Sequence, residues 1–355
     1  MLKRPTSPRK YDYCSACTFY LGAIISTLIC QATAGVLSAG LAGSFPDIAK
    51  NGDFNTAFMI FVQVVNGAFI FFFSWLNNYK FDFTLFADKA QKKSKLFYVA
   101  LFVVPVLCAG LLLTGMYLPT VWYGYFTTYV LKMSPDIGNI SIDTSSALAM
   151  LIIASVFLAP VCEEIIYRGV LATGLRKKKS ATVAIVLSAL AFMLMHMSPA
   201  QVVFQFALGA VSAFILLKSG RLLPSILLHA TANSLALVID LTPLGAGLGD
   251  CVAWLTNNIA AAFFITLGLF VACGAIIFVL VWFGFNLGKT QEKTEAEGQA
   301  NPSADGESGE QKAPEAVKRD EIISAARDRE GKVRFFIGIG ICALLLIVNL
   351  VAGYF

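Results

Sequence analysis

Nine stretches of the chain are apolar over the roughly 20 residues that a helix needs to cross a hydrocarbon layer. They run over 17–42, 56–76, 97–118, 145–170, 180–197, 200–218, 222–240, 258–287 and 334–353. No other feature restricts the fold as strongly. The expected fold is all-α, a polytopic membrane protein of about nine transmembrane helices. Only 14% of the residues are charged, against about 25% in soluble domains. The first and eighth runs exceed a minimal span, so they predict tilt or turns outside the membrane.

The loops carry a directional signal. "MLKRPTSPRK", "ADKAQKKSK" and "LRKKKS" are basic and alternate with loops that are acidic or nearly neutral, such as "SFPDIAKNGDFN" and "MSPDIGNISIDTSS". Lysine and arginine gather on the cytoplasmic side of membrane proteins. The N-terminus is therefore expected in the cytoplasm and, after nine crossings, the C-terminus outside. Each basic run is short and abuts a span, which fits topology signalling and excludes nucleic acid as the expected partner. The eight cysteines lie mostly singly inside spans, where they act as small apolar residues. Cys14 and Cys17 form a C-x-x-C, with no second pair to complete a zinc site.

The expected organisation is N-terminal transmembrane helices (1–144), a central unit (145–240) whose bounds rest on a resemblance given below, an additional transmembrane helix (241–287), a linker (288–332) and a C-terminal anchor (333–355). The linker is polar, charged and poor in aromatics. It is expected to be disordered to about residue 315, with room for a short helix at 316–330. The anchor is expected to lie outside the functional core. Residues 119–135 are aromatic-rich and suit a membrane interface.

Polar and ionisable side chains within spans are functional candidates by default, and here they gather in the central unit. "PVCEEIIYRG" places Glu163, Glu164 and Arg168 at the end of an apolar run. Glu164 and Arg168 are four apart and share a helical face, so they can pair. Glu163 is turned about 100° from Glu164 and lies off that face. One carboxylate is then clamped and the other is left to act as a general base. The chain's two histidines fall in nearby spans: His196 in "AFMLMHM" and His229 in "LLHATANS", the latter sharing a face with Asn233.

Two chemistries fit one free glutamate, two histidines and an asparagine on three spans. Glu163, helped by a histidine, can activate water while the other histidine or Asn233 stabilises the oxyanion. Alternatively Glu163, His196 and His229 are candidate ligands of a metal such as zinc, which would activate the water. No H-E-x-x-H helix is present, and spacing does not choose between the two. Two further readings use the same residues: a non-catalytic membrane scaffold or immunity protein, and a proton-coupled transporter.

The three segments together resemble a known family. "EEIIYRG" resembles the E-E-x-x-x-R motif of the type II CAAX prenyl endopeptidases, a family that includes bacterial abortive-infection and bacteriocin-immunity membrane proteins. "FMLMH" is similar to its F-x-x-x-H motif and "HATAN" to its H-x-x-x-N motif, in the family's order, over about residues 145–240. The resemblance implies an intramembrane peptidase core acting on membrane-associated protein or peptide substrates. It puts the general base at Glu163, support at Glu164 and Arg168, catalytic histidines at His196 and His229, and oxyanion stabilisation at Asn233. The style of the chain suggests an integral protein of the lipid bilayer of a bacterial cell membrane. Straight helices would set His196 near the outer end of its span, His229 near the inner side and Glu163 between them. A tilt, a kink or a re-entrant segment must therefore bring them together.

Overall fold

The computed structural model describes residues 9–44, 52–80, 94–130, 142, 144–286 and 314–352. The described residues form these helices: α1 (Tyr13–Ser44), α2 (Gly52–Asn77), α3 (Lys95–Tyr125), α4 (Ser145–Arg176), α5 (Ala181–Met195), α6 (Val202–Ser219), α7 (Leu223–Leu241), α8 (Pro243–Asn257), α9 (Ile259–Asn286) and α10 (Pro314–Ala352). Among the described residues the one extended pairing joins Arg9–Lys10 to Tyr79–Lys80.

The molecule is an all-α polytopic membrane protein. Among the described residues, eight helices are long and apolar enough to cross a membrane. The fifth apolar run, expected over 180–197, forms α5 with only 15 residues, about 22 Å of helix. Its end has a local cause. Met197 takes a positive φ of 49°, a conformation that breaks a helix, and Pro199 starts a separate 3₁₀ turn. Large apolar side chains on the outer faces, such as Phe71, Phe72 and Phe264, stay exposed on the assembled bundle, as lipid contact requires. Hydroxyls inside the spans donate to the carbonyl four residues earlier, as at Thr18, Thr27, Ser74, Ser155 and Ser234.

The central four helices, α4 to α7, pack together. α3 lies against α7 and α9, α1 and α2 back α4, and α10 lies against α1 and α5. Two expectations change here. The helix at the C-terminus begins at Pro314, inside the stretch expected as a linker. The segment "EAVKRDEIISAARDRE" is rich in helix formers, and ion pairs hold it. Lys178 Nζ lies 2.9 Å from Asp328 and Arg327 Nη2 lies 2.6 Å from Asp12. Burial raises Asp12, but Ser15 hydrogen bonds and the Arg327 and Lys177 charges outweigh it and hold its carboxyl below the usual range. Residues 288–313 of the linker lie outside the described residues. The final span is also more than an anchor, since Phe335 stacks near Tyr20 and Tyr20 near Tyr167 of α4, with centroids 5.7 and 6.1 Å apart. The aromatic stretch at 119–130 continues α3 and ends in a π turn, Phe126–Val130, while 131–135 lie outside the described residues.

Small residues allow the closest helix contacts, as is usual where lipid offers no hydrophobic drive. A Cβ on Gly174 of α4 would stand 2.2 Å from the Ala16 Cβ of α1, whereas one on Gly110 of α3 would meet nothing within 4 Å. Gly174→Val is expected to cost about 1–3 kcal/mol by overpacking, and Gly110→Val far less. Thermal unfolding of the two variants in detergent checks this, and equal stability would deny the close α1–α4 contact.

Candidate functional site

Glu163 and Glu164 sit in a short regular segment of α4, Ala159–Glu164, between two π-helical stretches, Ile153–Leu158 and Ile165–Ala172. Such wider turns interrupt the regular ladder and occur often at functional sites. Glu163, Glu164, Arg168 and His229 are all buried.

Glu164 Oε1 is the meeting point. It lies 3.1 Å from Arg168 Nη1 and 3.0 Å from His229 Nδ1. A carboxylate only accepts, so His229 Nδ1 carries the proton of that bond and Nε2 faces the other way. There Nε2 lies 3.9 Å from Glu163 Oε2, an oxygen that is buried with no hydrogen-bond partner among the described residues. The spacing argument separates Glu163 from the Glu164–Arg168 face. The structure instead brings both carboxylates to one imidazole, one at each ring nitrogen, because α7 crosses α4 at this level.

His196 is set by the same logic. Its Nδ1 is 2.9 Å from the Phe192 carbonyl, which can only accept, so Nδ1 donates and Nε2 is left for other work. Phe192 is the shared wall. The Arg168 guanidinium lies 4.1 Å over its ring centroid, and the His196 and His229 rings meet it edge to face at 4.7 and 5.6 Å. His196 lies within electrostatic range of Glu163, His229 and Arg168. Asn233, one turn after His229, donates from Nδ2 to the Ser155 carbonyl at 2.7 Å. That bond ties α7 to the first π stretch and uses one of the two amide hydrogens.

Two features bear on the mismatch of depths. Glu163 precedes Arg176 by 13 residues and His196 follows Ser180 by 16. These are rises of about 20 and 24 Å from the same turn, so antiparallel α4 and α5 bring them near one level. His229 reaches that level because the α6–α7 turn is sunk into the protein. Ser219, Arg221 and Leu222 are buried, Gly220 closes the turn at φ 66°, and Ser225 Oγ donates to Ser212 O at 2.9 Å. Arg221 is thus buried within the protein just before α7 begins.

The candidate metal ligands do not form a metal site by geometry. Among the described residues no three His, Cys, Asp or Glu side chains group as ligands; only Glu163 and His229 approach each other, at 3.9 Å. Cys14 and Cys17 are free and buried, beside Glu330 and Arg334 in the case of Cys14. Residues that the motifs do not reveal also border the site. Cys162 Sγ donates to the Gln63 carbonyl of α2 at 3.5 Å, and Asn66 accepts from Thr27 at 3.1 Å. Gln63 and Asn66 stand out as polar positions within an apolar run, a signal that the sequence carries.

The site thus defines a polytopic membrane protein with a buried glutamate–histidine centre. Residues 145–235, from α4 into α7, match the family model described as type II CAAX prenyl endopeptidase Rce1-like, so this segment is similar to an Rce1-like domain. No curated protein and no solved structure matches the chain.

Removing one partner of a buried ion pair costs about 3–5 kcal/mol. Arg168→Met is expected to lower stability on that scale by leaving the buried Glu164 carboxylate with the His229 hydrogen bond but no cationic partner of its own helix. Glu164→Gln combined with Arg168→Met should cost less than the sum of the two single changes. A thermal-unfolding double-mutant cycle measures this, and additive costs would deny the coupling.

Proposed function

We propose that the chain is an intramembrane endopeptidase that hydrolyses peptide bonds of membrane-associated proteins or peptides with a glutamate-activated water. One observation carries the reading: Glu163 presents an unpartnered buried oxygen 3.9 Å from the Nε2 of a histidine whose other nitrogen is fixed by a second, arginine-paired carboxylate. The Rce1-like domain supports a proteolytic role for this centre.

In this mechanism Glu163 takes a proton from water as the oxygen attacks the scissile carbonyl carbon. Glu164 stays ionised against Arg168, so the mobile proton belongs to the Glu163–His229 pair. His229 Nε2 receives it and passes it to the departing amine nitrogen as the C–N bond breaks. The 3.9 Å gap is longer than a hydrogen bond, and substrate binding closes such gaps. The tetrahedral oxyanion needs donors. The second amide hydrogen of Asn233 is one, and His196 Nε2 is another once that ring has taken up a proton in the course of the reaction. This reading routes no step through a metal. The expected location is a cell membrane with the N-terminus in the cytoplasm. The grouping of Asp12, Lys178 and Arg327 at one end of the bundle supports placing the basic segments on one side.

The test is hydrolysis by purified protein in detergent, against prenylated C-a-a-X peptides and membrane-protein tails, with and without a chelator. Glu163→Gln is expected to lose at least about 100-fold in kcat at unchanged thermal stability, and wild-type cleavage should persist in the chelator. Loss in the chelator that zinc restores would replace this mechanism with a metal-assisted one. Cleavage indifferent to Glu163→Gln would overturn the role of Glu163. Absence of cleavage across the panel would favour a scaffold.

A further inference from the structure

The family match ends at residue 235, yet a residue far beyond it touches the turn that carries His196. Asn349 Nδ2 of α10 donates to the Met197 carbonyl at 2.7 Å. Met197 is one of two non-glycine residues with positive φ among the described residues. The turn is held from behind by Met197 N to Leu194 O at 3.1 Å and His196 N to Met193 O at 3.2 Å. At its opposite end α10 pairs Asp328 with Lys178 at 2.9 Å, just before α5 begins. α10 therefore grips α5 at both ends: Lys178 before its first turn and Met197 after its last.

The physics gives this contact weight. Where α5 stops, the helical ladder stops too, and carbonyls beyond it lack an intrahelical donor. In a membrane no water from lipid replaces that donor. A non-glycine residue held at positive φ costs of order 1–3 kcal/mol and persists only where its surroundings over-determine it. The Asn349 bond supplies one of those determinants, next to the histidine whose Nδ1 is already committed to Phe192 O.

We propose that Asn349 is a positioning residue for His196, and that α10 is a splint that completes the site from outside the Rce1-like domain. The role assigned to His196 in hydrolysis rests on the proposed peptidase reading; the positioning itself does not. Asn349 touches neither the glutamates nor His229, so it acts through the Met197 turn alone.

The chain has only two histidines, so ¹⁵N-histidine labelling of the full chain, purified with a tag free of histidine, gives two imidazole signal sets. His196→Gln and His229→Gln assign them. Asn349→Ala is expected to shift the His196 signals and their pH midpoint and to leave those of His229 in place. Asn349→Asp keeps the shape but puts a carboxylate against the carbonyl, so it should have the same effect, and it carries the test if the alanine variant fails to fold. In the hydrolysis assay both variants should lower kcat about 10–100-fold with KM within a factor of two. His196 signals identical to wild type in both variants would overturn the proposal, even with activity reduced, because the effect would then be general destabilisation. Wild-type behaviour of Asn349→Asp alone would also overturn it. If the wild type cleaves nothing, the peptidase reading falls while the His196 signals still decide the role of Asn349.

Discussion

A single carboxylate oxygen organises this protein. Glu164 Oε1 lies 3.1 Å from an arginine of its own helix and 3.0 Å from a histidine of α7. In water such contacts are worth little. In a buried site the alternative is an unpaired charge, and the penalty is severe. The bundle must therefore hold α4 and α7 at the crossing where both contacts survive. His229 then has one possible orientation, with Nε2 toward Glu163. Everything proposed for catalysis follows from this orientation.

The second organising element is an aromatic ring. Phe192 carries the Arg168 guanidinium on its face at 4.1 Å and meets two imidazoles at its edges. It lets three groups that can bear positive charge gather without facing one another directly, and its attraction for Arg168 is strengthened by the low dielectric. Gly209 of α6 matters for the same reason. A Cβ there would lie 3.0 Å from the Ala189 Cα and 3.3 Å from Phe192 Cδ1, so the small residue lets the ring occupy its place.

Much of this was legible in the residues. Apolar runs revealed the membrane class, and four-residue spacing revealed the Glu164–Arg168 pair. Two histidines in a chain of 355 residues, both within spans, marked the helices that meet. What was not legible depends on where helices stop. The end of α5 is set by a positive φ at Met197 and by Pro199, and the sunken α6–α7 turn hides Arg221. Hydropathy averages over such details, so straight spans placed the two histidines at opposite depths. The short helix allowed at 316–330 was legible in its helix formers, but its continuity with the last span was not, because its order derives from partners more than 140 residues away in the chain, Asp12 and Lys178.

The distance along the chain between Met197 and Asn349 is 152 residues, and chains are made from the N-terminus at about 5–20 residues per second. The turn bearing His196 thus enters the bilayer on the order of 10–30 s before its donor exists. During that interval α4 to α7 can already cross and the glutamate–arginine–histidine contacts can already close, since all their members are synthesised within one short stretch. The nascent chain would hold a nearly complete centre whose last histidine is not yet secured. Maturation of the site would then be timed by translation itself.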